Sequence, residues 1–251
     1  METFVAPNSI VRKIWGDADM ILFIFAGAAA EFALNKSVDW LYFTGKLPKD
    51  PIGRMFSTVE YAHKIIFMEK EKALHAIDQI TIIHKGVEEK RGTSIPDWAY
   101  RDVLFLLIYY SITTYELLEH KLIHSEKEEV FTVFNAVGIR MGIKNLPENY
   151  AEWLEVRKQH LKTNLENSHF SIDLFSQYKK QLKPFRYWAM LQVQAQLTPL
   201  KVQKILQTKR NKAFGLLIAL YRLIRCKTIN RQVLPLLLPS GFQSSLRNLN
   251  K

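Results

Sequence analysis

The stretch Met20-Ile-Leu-Phe-Ile-Phe-Ala-Gly-Ala-Ala-Ala-Glu-Phe-Ala-Leu34 decides the fold class of this chain. It is apolar except for Glu31 near its end, and a second apolar stretch runs from Val103 to Thr114. Both stretches are shorter than the roughly 20 residues that a membrane-spanning helix needs. We therefore predict that both form helices buried in the core of a globular domain.

The composition of the whole chain is typical of a single helical domain. Its 251 residues are 48% apolar, with ten glycines and nine prolines, and the apolar residues recur at intervals of three and four rather than two. Nothing between residues 9 and 237 is rich enough in Gly, Ser or Pro to be a flexible linker. We predict an all-α fold with one multi-helix domain over residues 1–237, a flexible tail over residues 238–251 and an irregular link over residues 36–51.

A polar patch is predicted at the start of the helix that follows this link. The sequence reads Asp50-Pro51-Ile52-Gly53-Arg54-Met55-Phe56-Ser57-Thr58, and the proline opens a helix. Residues three and four apart on a helix are neighbours. Arg54, Ser57 and Thr58 are therefore expected on one face of this helix.

A single histidine, His84, interrupts an aliphatic face of the next predicted helix. By the same spacing its neighbours on that face are Ile77, Ile80 and Val87. An imidazole on an aliphatic stripe, opposite a helix that carries an arginine and a hydroxyl, is what an axial haem ligand facing a polar pocket wall needs. From the residues alone, a structural histidine remains the more common interpretation.

The order of these motifs resembles a known family. Gly27-Ala28-Ala29-Ala30 on an apolar helix is followed by Asp50-Pro51-x-Gly53-Arg54-x-x-x-Thr58, by His84 with Val87 three residues on, and by an apolar helix near Tyr100. Over roughly residues 10–165 the chain is similar to the haem-b oxygenases of the rubber-oxygenase (latex-clearing) and MpaB type. That family is all-helical with a globin-like core, and its best-known members cleave isoprenoid double bonds with dioxygen.

The resemblance implies roles for three residues and a function for the chain. His84 would be the metal ligand that holds the iron of haem b, Arg54 would bind the cofactor and act in catalysis, and Thr58 would be a second catalytic residue. The implied function is that of a haem-b-dependent oxygenase whose partners are dioxygen and an apolar unsaturated substrate, isoprenoid or lipid-like. In this interpretation, dioxygen binds the iron opposite His84.

Structural alternatives stay open for each polar side chain near this site. Arg54 could instead pair with a carboxylate such as Asp39 or Asp50, and Thr58 could bond back to the carbonyl oxygen of Arg54. Glu31 is a candidate acid for proton abstraction by its location, or else a buried structural partner of Arg54.

Three positions differ from the family pattern and motivate a second hypothesis. Asn35-Lys36 stands where family members have His-Pro, and Val103-Leu104-Phe105 stands where they have Trp-Val-His. Ser57 stands where the rubber-cleaving branch has lysine. The alternative is a non-catalytic helical protein that binds haem or lipid and associates with membrane surfaces, and a helical adaptor for an acidic partner is a third option.

The net charge of +11 is concentrated late in the chain, where Lys and Arg are frequent and acids are few. Solvated helix faces or contact with a membrane surface both explain it, and the apolar segment Ala213 to Arg225 with its flanking cations favours peripheral membrane contact. No nucleic-acid-reading motif accompanies the charge, so no nucleic acid is expected as a partner. The N-terminal sequence does not read as a secretory signal, which predicts a cytoplasmic location.

The other histidines are weaker candidates for chemistry. His63 and His75 each lie nine residues from the polar residue they would have to join, which is half a revolution round a helix. His120 and His124 have a spacing that can chelate a metal ion, but their charged surroundings favour a solvated cluster.

Overall fold

The computed structural model describes residues 2–225, which form a bundle of helices. Within these residues no strand occurs, and the only β-type pairings are two isolated bridges. This confirms the all-α prediction, while the predicted tail over residues 238–251 lies outside the described residues. The helices of residues 2–225 are α1 (Ile10–Trp15), α2 (Ala18–Leu34), α3 (Val38–Phe43), α4 (Lys46–Lys49), α5 (Pro51–Phe67), α6 (Lys70–Arg91), α7 (Asp97–Leu118), α8 (His124–Arg140), α9 (Tyr150–Thr163), α10 (His169–Leu197), α11 (Leu200–Leu206) and α12 (Lys212–Ile224).

Helix α2 lies at the centre of the bundle, where it packs most extensively against α7 and α10. Ile24, Ala30 and Leu34 on α2 are completely buried, as is Ile108 on α7. Both apolar stretches of the sequence therefore form core helices, as predicted. Within residues 2–225, none of the helices combines the length and apolarity that crossing a bilayer requires.

The close approach of α2 and α7 depends on Gly27. A Cβ atom added at Gly27 would lie 2.4 Å from Cδ1 of Tyr110, and the Tyr110 ring is itself completely buried. The ring therefore packs directly on the α2 backbone, and any side chain at position 27 would push the two helices apart.

We expect Gly27→Ala to lower the free energy of unfolding by about 1–3 kcal/mol, the usual range for an overpacked core. Gly86→Ala is the matched control, because a Cβ at this other helical glycine would meet no atom within 4 Å. The higher helix propensity of alanine should therefore raise the free energy of unfolding of this variant by about 0.5–1 kcal/mol. Urea denaturation measures both. Unfolding of Gly27→Ala at the same urea concentration as the parent protein would contradict this prediction. It would mean that α2 and α7 can move apart without a loss of stability.

The prediction of an irregular link over residues 36–51 is wrong, because α3 and α4 occupy most of this segment. These helices have only six and four residues, too few to be stable by local propensity. Tertiary contacts hold α3 instead. The Tyr42 hydroxyl donates to Oδ2 of Asp173 at 2.8 Å, and the Tyr42 ring packs on Phe170 at 4.6 Å.

Helix α10 is interrupted at Lys183, where φ is 62° and ψ is 164°. Pro184 follows, and a proline excludes the α conformation at the preceding residue as well as removing a backbone donor. The interruption separates the two helical segments that the sequence predicts here, 170–181 and 184–195. The second half of α10 thereby changes direction relative to the first.

Candidate functional site

The start of α5 positions Arg54. The Asp50 carboxylate accepts a hydrogen bond from the Gly53 backbone N–H at 2.8 Å and so caps the helix. Pro51 occupies the first turn, as the sequence predicts. A Cβ at Gly53 would lie 2.0 Å from Oδ2 of Asp50, which explains the glycine. Arg54 follows directly and is half-buried.

The two carboxylates that could have paired structurally with Arg54 have other partners. Asp50 caps α5 through Gly53, and Oδ2 of Asp39 accepts from the Arg91 guanidinium at 2.8 Å. Arg91 also lies over the Trp40 ring, 4.0 Å from its centroid. These contacts fasten the end of α6 to α3, two turns beyond His84.

Thr58 and Ser57 both bond back along their own helix. The Thr58 hydroxyl donates to the carbonyl oxygen of Arg54 at 3.2 Å, and the Ser57 hydroxyl donates to that of Gly53 at 2.9 Å. Thr58 is exposed. The structural alternative described for Thr58 is therefore the state that the structure shows.

His84 is half-buried on α6, against the start of α7. Its ring meets the Tyr100 ring edge-on, with centroids 5.1 Å apart. The Tyr100 hydroxyl donates to Oε1 of Glu88 at 3.2 Å, and the same oxygen accepts the Ile95 backbone N–H at 2.7 Å. Nδ1 of His84 is buried and has no hydrogen-bond partner among residues 2–225.

The environment of His84 favours its neutral form. Burial lowers the pKa of His84; the Glu88 carboxylate raises it in part, and the Arg54 guanidinium lowers it again. The histidine therefore carries a neutral imidazole at pH 7, which is the form that binds iron. Arg54 and His84 lie on the neighbouring helices α5 and α6, which pack against each other.

Apolar surface and two clefts adjoin this pair. The side chains of Ile82 and Ile83 are more than half exposed, whereas Ile77 on the inward face is completely buried. A cleft of 500 Å³ is lined by Arg54 and Ser57, and one of 570 Å³ between α5 and α6 is lined by Ile83. His84 lines neither cleft.

The donor chemistry of these residues fits a haem group. A buried ring nitrogen without a partner is the feature that a ligand or second-shell acceptor would satisfy, and the Arg54 guanidinium on the neighbouring helix α5 suits a propionate. Within residues 2–225 no group of three or more His, Cys, Asp or Glu side chains could hold a metal ion. A haem iron takes only one or two protein ligands, so this finding leaves the assignment of His84 unaffected.

A scan against protein-family models matches residues 12–230 to the family described as ER-bound oxygenase mpaB/B'/Rubber oxygenase, catalytic domain. The chain belongs to this family. The predicted resemblance is therefore confirmed, and it extends well beyond residue 165. No curated protein and no solved structure matches the chain in the other two comparisons.

The core of this mpaB/rubber-oxygenase domain contains a buried polar network around Glu31. The Arg157 guanidinium binds both carboxylate oxygens, with Nη2 at 2.6 Å from Oε2, and the Tyr110 hydroxyl donates to Oε2 at 3.0 Å. Nε2 of His160 lies 3.2 Å from Oε1. Burial alone would raise the pKa of Glu31, but Arg157 and His160 outweigh it and lower that pKa to about 2.

His160 connects Glu31 to a second buried carboxylate, Asp102. Nδ1 of His160 lies 2.5 Å from Oδ1 of Asp102, whose Oδ2 accepts from Asn35 at 3.0 Å and from Asn164 at 2.9 Å. Burial lowers the pKa of His160, but its bonds to Asp102 and Glu31 raise it overall. The network thus joins the end of α2, the start of α7 and α9.

This network corrects one expectation and reveals residues that the sequence analysis missed. The buried partner of Glu31 is Arg157, so the suggested pairing with Arg54 is wrong. Asn35, which replaces a family histidine, is one of the hydrogen-bond donors of the network. Arg157 and His160 are three residues apart on one face of α9, and that spacing is the only signal in the sequence that could have indicated them.

Proposed function

We propose that this family member is a haem-b-dependent oxygenase that uses dioxygen to oxidise an apolar, unsaturated substrate of isoprenoid or lipid-like character. Family membership supports oxygenase chemistry in general. The observation that carries the haem assignment is the half-buried His84, whose Nδ1 is buried and has no hydrogen-bond partner among residues 2–225.

Each residue of the proposed site has a distinct role. Neutral His84 would hold the iron through one ring nitrogen, and its ring packs against Tyr100. Haem b, when bound, supplies an iron that activates dioxygen for reaction with a carbon–carbon double bond. Arg54 binds a propionate or stabilises negative charge that develops in the pocket. Thr58 acts as a hydroxyl donor only after its bond to the Arg54 carbonyl has been exchanged.

The surroundings of the pair support an apolar substrate. Ile82 and Ile83 are largely exposed on the helix that carries His84, and Phe43 is half exposed beside Arg91, where α6 ends. Uncovered apolar side chains of this size near a candidate site favour a ligand that removes them from water.

Titration of the purified protein with haem tests the proposal directly. We expect a Soret band that saturates at about one haem per chain, because His84 offers a single ligand position. The loaded protein should then consume oxygen in the presence of unsaturated isoprenoids or lipids, and not with their saturated counterparts. A protein that stays colourless at saturating haem would contradict the proposal.

A second candidate function is haem or lipid binding without turnover. Phe105 stands where family members carry a histidine, and it is buried in the core at 1% exposure. Asn35, at the other altered position, is committed to Asp102. Neither side chain is therefore available to a cofactor. A Soret band without substrate-dependent oxygen consumption would favour this candidate.

We further propose that the chain works in the cytoplasm in peripheral contact with a membrane. The basic character of its C-terminal half supports this location, because anionic lipid attracts juxtaposed cations. This proposed location does not depend on the haem assignment. It requires that the protein has a surface able to contact lipid.

A further inference from the structure

Helix α12 carries apolar side chains on two opposite faces. Its inner face packs on the bundle through Phe214 and the buried Ile218. A surface helix normally presents polar residues outward. The outer face of α12 instead presents five exposed aliphatic side chains at intervals of three and four, namely Leu216, Leu217, Leu220, Leu223 and Ile224.

Polar contacts at the end of α12 fix which face points outward. The Tyr221 hydroxyl donates to Oδ2 of Asp19 at 2.8 Å. The Arg225 guanidinium is almost completely buried and binds Asp17 at 2.8 Å, Asp19 at 2.5 Å and Glu119. Asp17 therefore binds Arg225, and its side chain makes no capping bond to α2. These bonds tie α12 to α2 and α7 in one orientation.

Two exposed aromatic residues from the second half of α10 lie beside the start of α12. The Trp188 ring packs edge-on against Phe214 at 5.8 Å, and Phe185 stacks on Trp188 at 6.1 Å. Phe185 is 64% exposed and Trp188 is 45% exposed. The outer face of α12 together with Phe185 and Trp188 is called the apolar face below.

The part of the sequence that forms the apolar face is strongly basic. Beyond Asp173 the sequence contains fifteen Lys and Arg residues and no Asp or Glu. At the end of α12 the single positive charge of Arg225 faces three carboxylates, so this end of the helix is not basic. Exposed cations adjoin the apolar face in sequence, before α12 and at the start of the second half of α10, namely Lys183, Lys209, Arg210 and Lys212.

We propose that the apolar face docks on the surface of a bilayer that contains anionic lipid. Its aliphatic and aromatic side chains would enter the boundary between headgroups and acyl chains, and the adjoining cations would contact the headgroups. Nucleic acid would match the charge but would leave the five aliphatic side chains in water. This inference rests on the peripheral membrane contact proposed above and assigns the surface that makes it, without depending on haem.

Vesicle binding by the full chain tests the assignment. We expect co-sedimentation with phosphatidylcholine vesicles that contain roughly one-third phosphatidylserine, and at least tenfold weaker binding to pure phosphatidylcholine, since each cation near an anionic surface contributes roughly 1 kcal/mol. The double variant Leu217→Asn/Leu220→Asn should lose at least about tenfold in affinity for the anionic vesicles. The control Ile139→Asn/Leu154→Asn changes two exposed aliphatic residues on α8 and α9 and should bind as the parent does.

Tryptophan fluorescence supplies a second readout. Among the five tryptophans only Trp188 is exposed, so anionic vesicles should shift its emission to the blue, and Trp188→Phe should remove the shift. Equal vesicle binding by both double variants, or no binding to anionic vesicles, would overturn the proposal. So would a Trp188 that acrylamide fails to quench before vesicles are added, because the face would then be covered by a second copy or by residues 226–251. Oxygenase failure would leave all these results unchanged.

Discussion

Arg157→Met is expected to lower the free energy of unfolding by about 3–5 kcal/mol, because it leaves the Glu31 carboxylate buried without its bidentate partner. Glu31 is completely buried and Arg157 is 3% exposed. The methionine side chain is unbranched like that of arginine, but it cannot donate hydrogen bonds. Only Tyr110 and His160 would then remain to compensate the buried charge, and His160 already binds Asp102.

Arg140→Met is the matched control for this substitution. Arg140 makes a similar bidentate contact on the surface of the protein, where its Nε and Nη2 donate to the two carboxylate oxygens of Asp78 at 2.8 and 2.7 Å. Water and salt screen exposed pairs, so this substitution should change stability far less. Urea denaturation compares the two variants. Equal midpoints for both would mean that the Glu31 network contributes nothing beyond an ordinary surface pair.

The sequence predicts the long elements of the fold because each of them buries a periodic apolar stripe. The stretch from Met20 to Leu34 and the segment that opens at Pro51 both become helices within a residue or two of the predicted bounds. Helix α3 escapes prediction because its stability comes from Tyr42 and its contacts with Phe170 and Asp173, more than 120 residues away. No local pattern encodes such a contact.

In the candidate site too, residues linked by local helical spacing could be predicted, and residues joined only by tertiary contacts could not. Arg54 and Thr58 lie on one helix and His84 lies on the next, so helical spacing together with the family order is enough to nominate them as candidates. The polar network around Glu31 combines residues from α2, α7 and α9. In the sequence, Arg157 and His160 look like ordinary members of a charged helix, and only folding shows that they are buried.

His84→Ala is expected to abolish the Soret band of the haem-loaded protein, or to weaken haem affinity by more than about 100-fold. Loss of a residue that merely orients a ligand typically reduces affinity 10–100-fold, and removal of the ligand itself should exceed that. The fold should survive, because the ring is only half-buried and its Nδ1 has no hydrogen-bond partner within the described part of the chain. Absorption titration measures affinity, and circular dichroism checks the fold.

His75→Ala is the control, since this histidine lies on the same helix but is exposed and nine residues away, half a revolution from His84. It should leave the haem affinity unchanged. Free imidazole added to the His84→Ala variant should restore a Soret band, because it can fill the space left by the ring and supply the lost nitrogen. Unchanged haem affinity in His84→Ala would assign the iron to another residue, whereas loss of the band without rescue by imidazole would indicate that His84 supports the pocket without binding the metal.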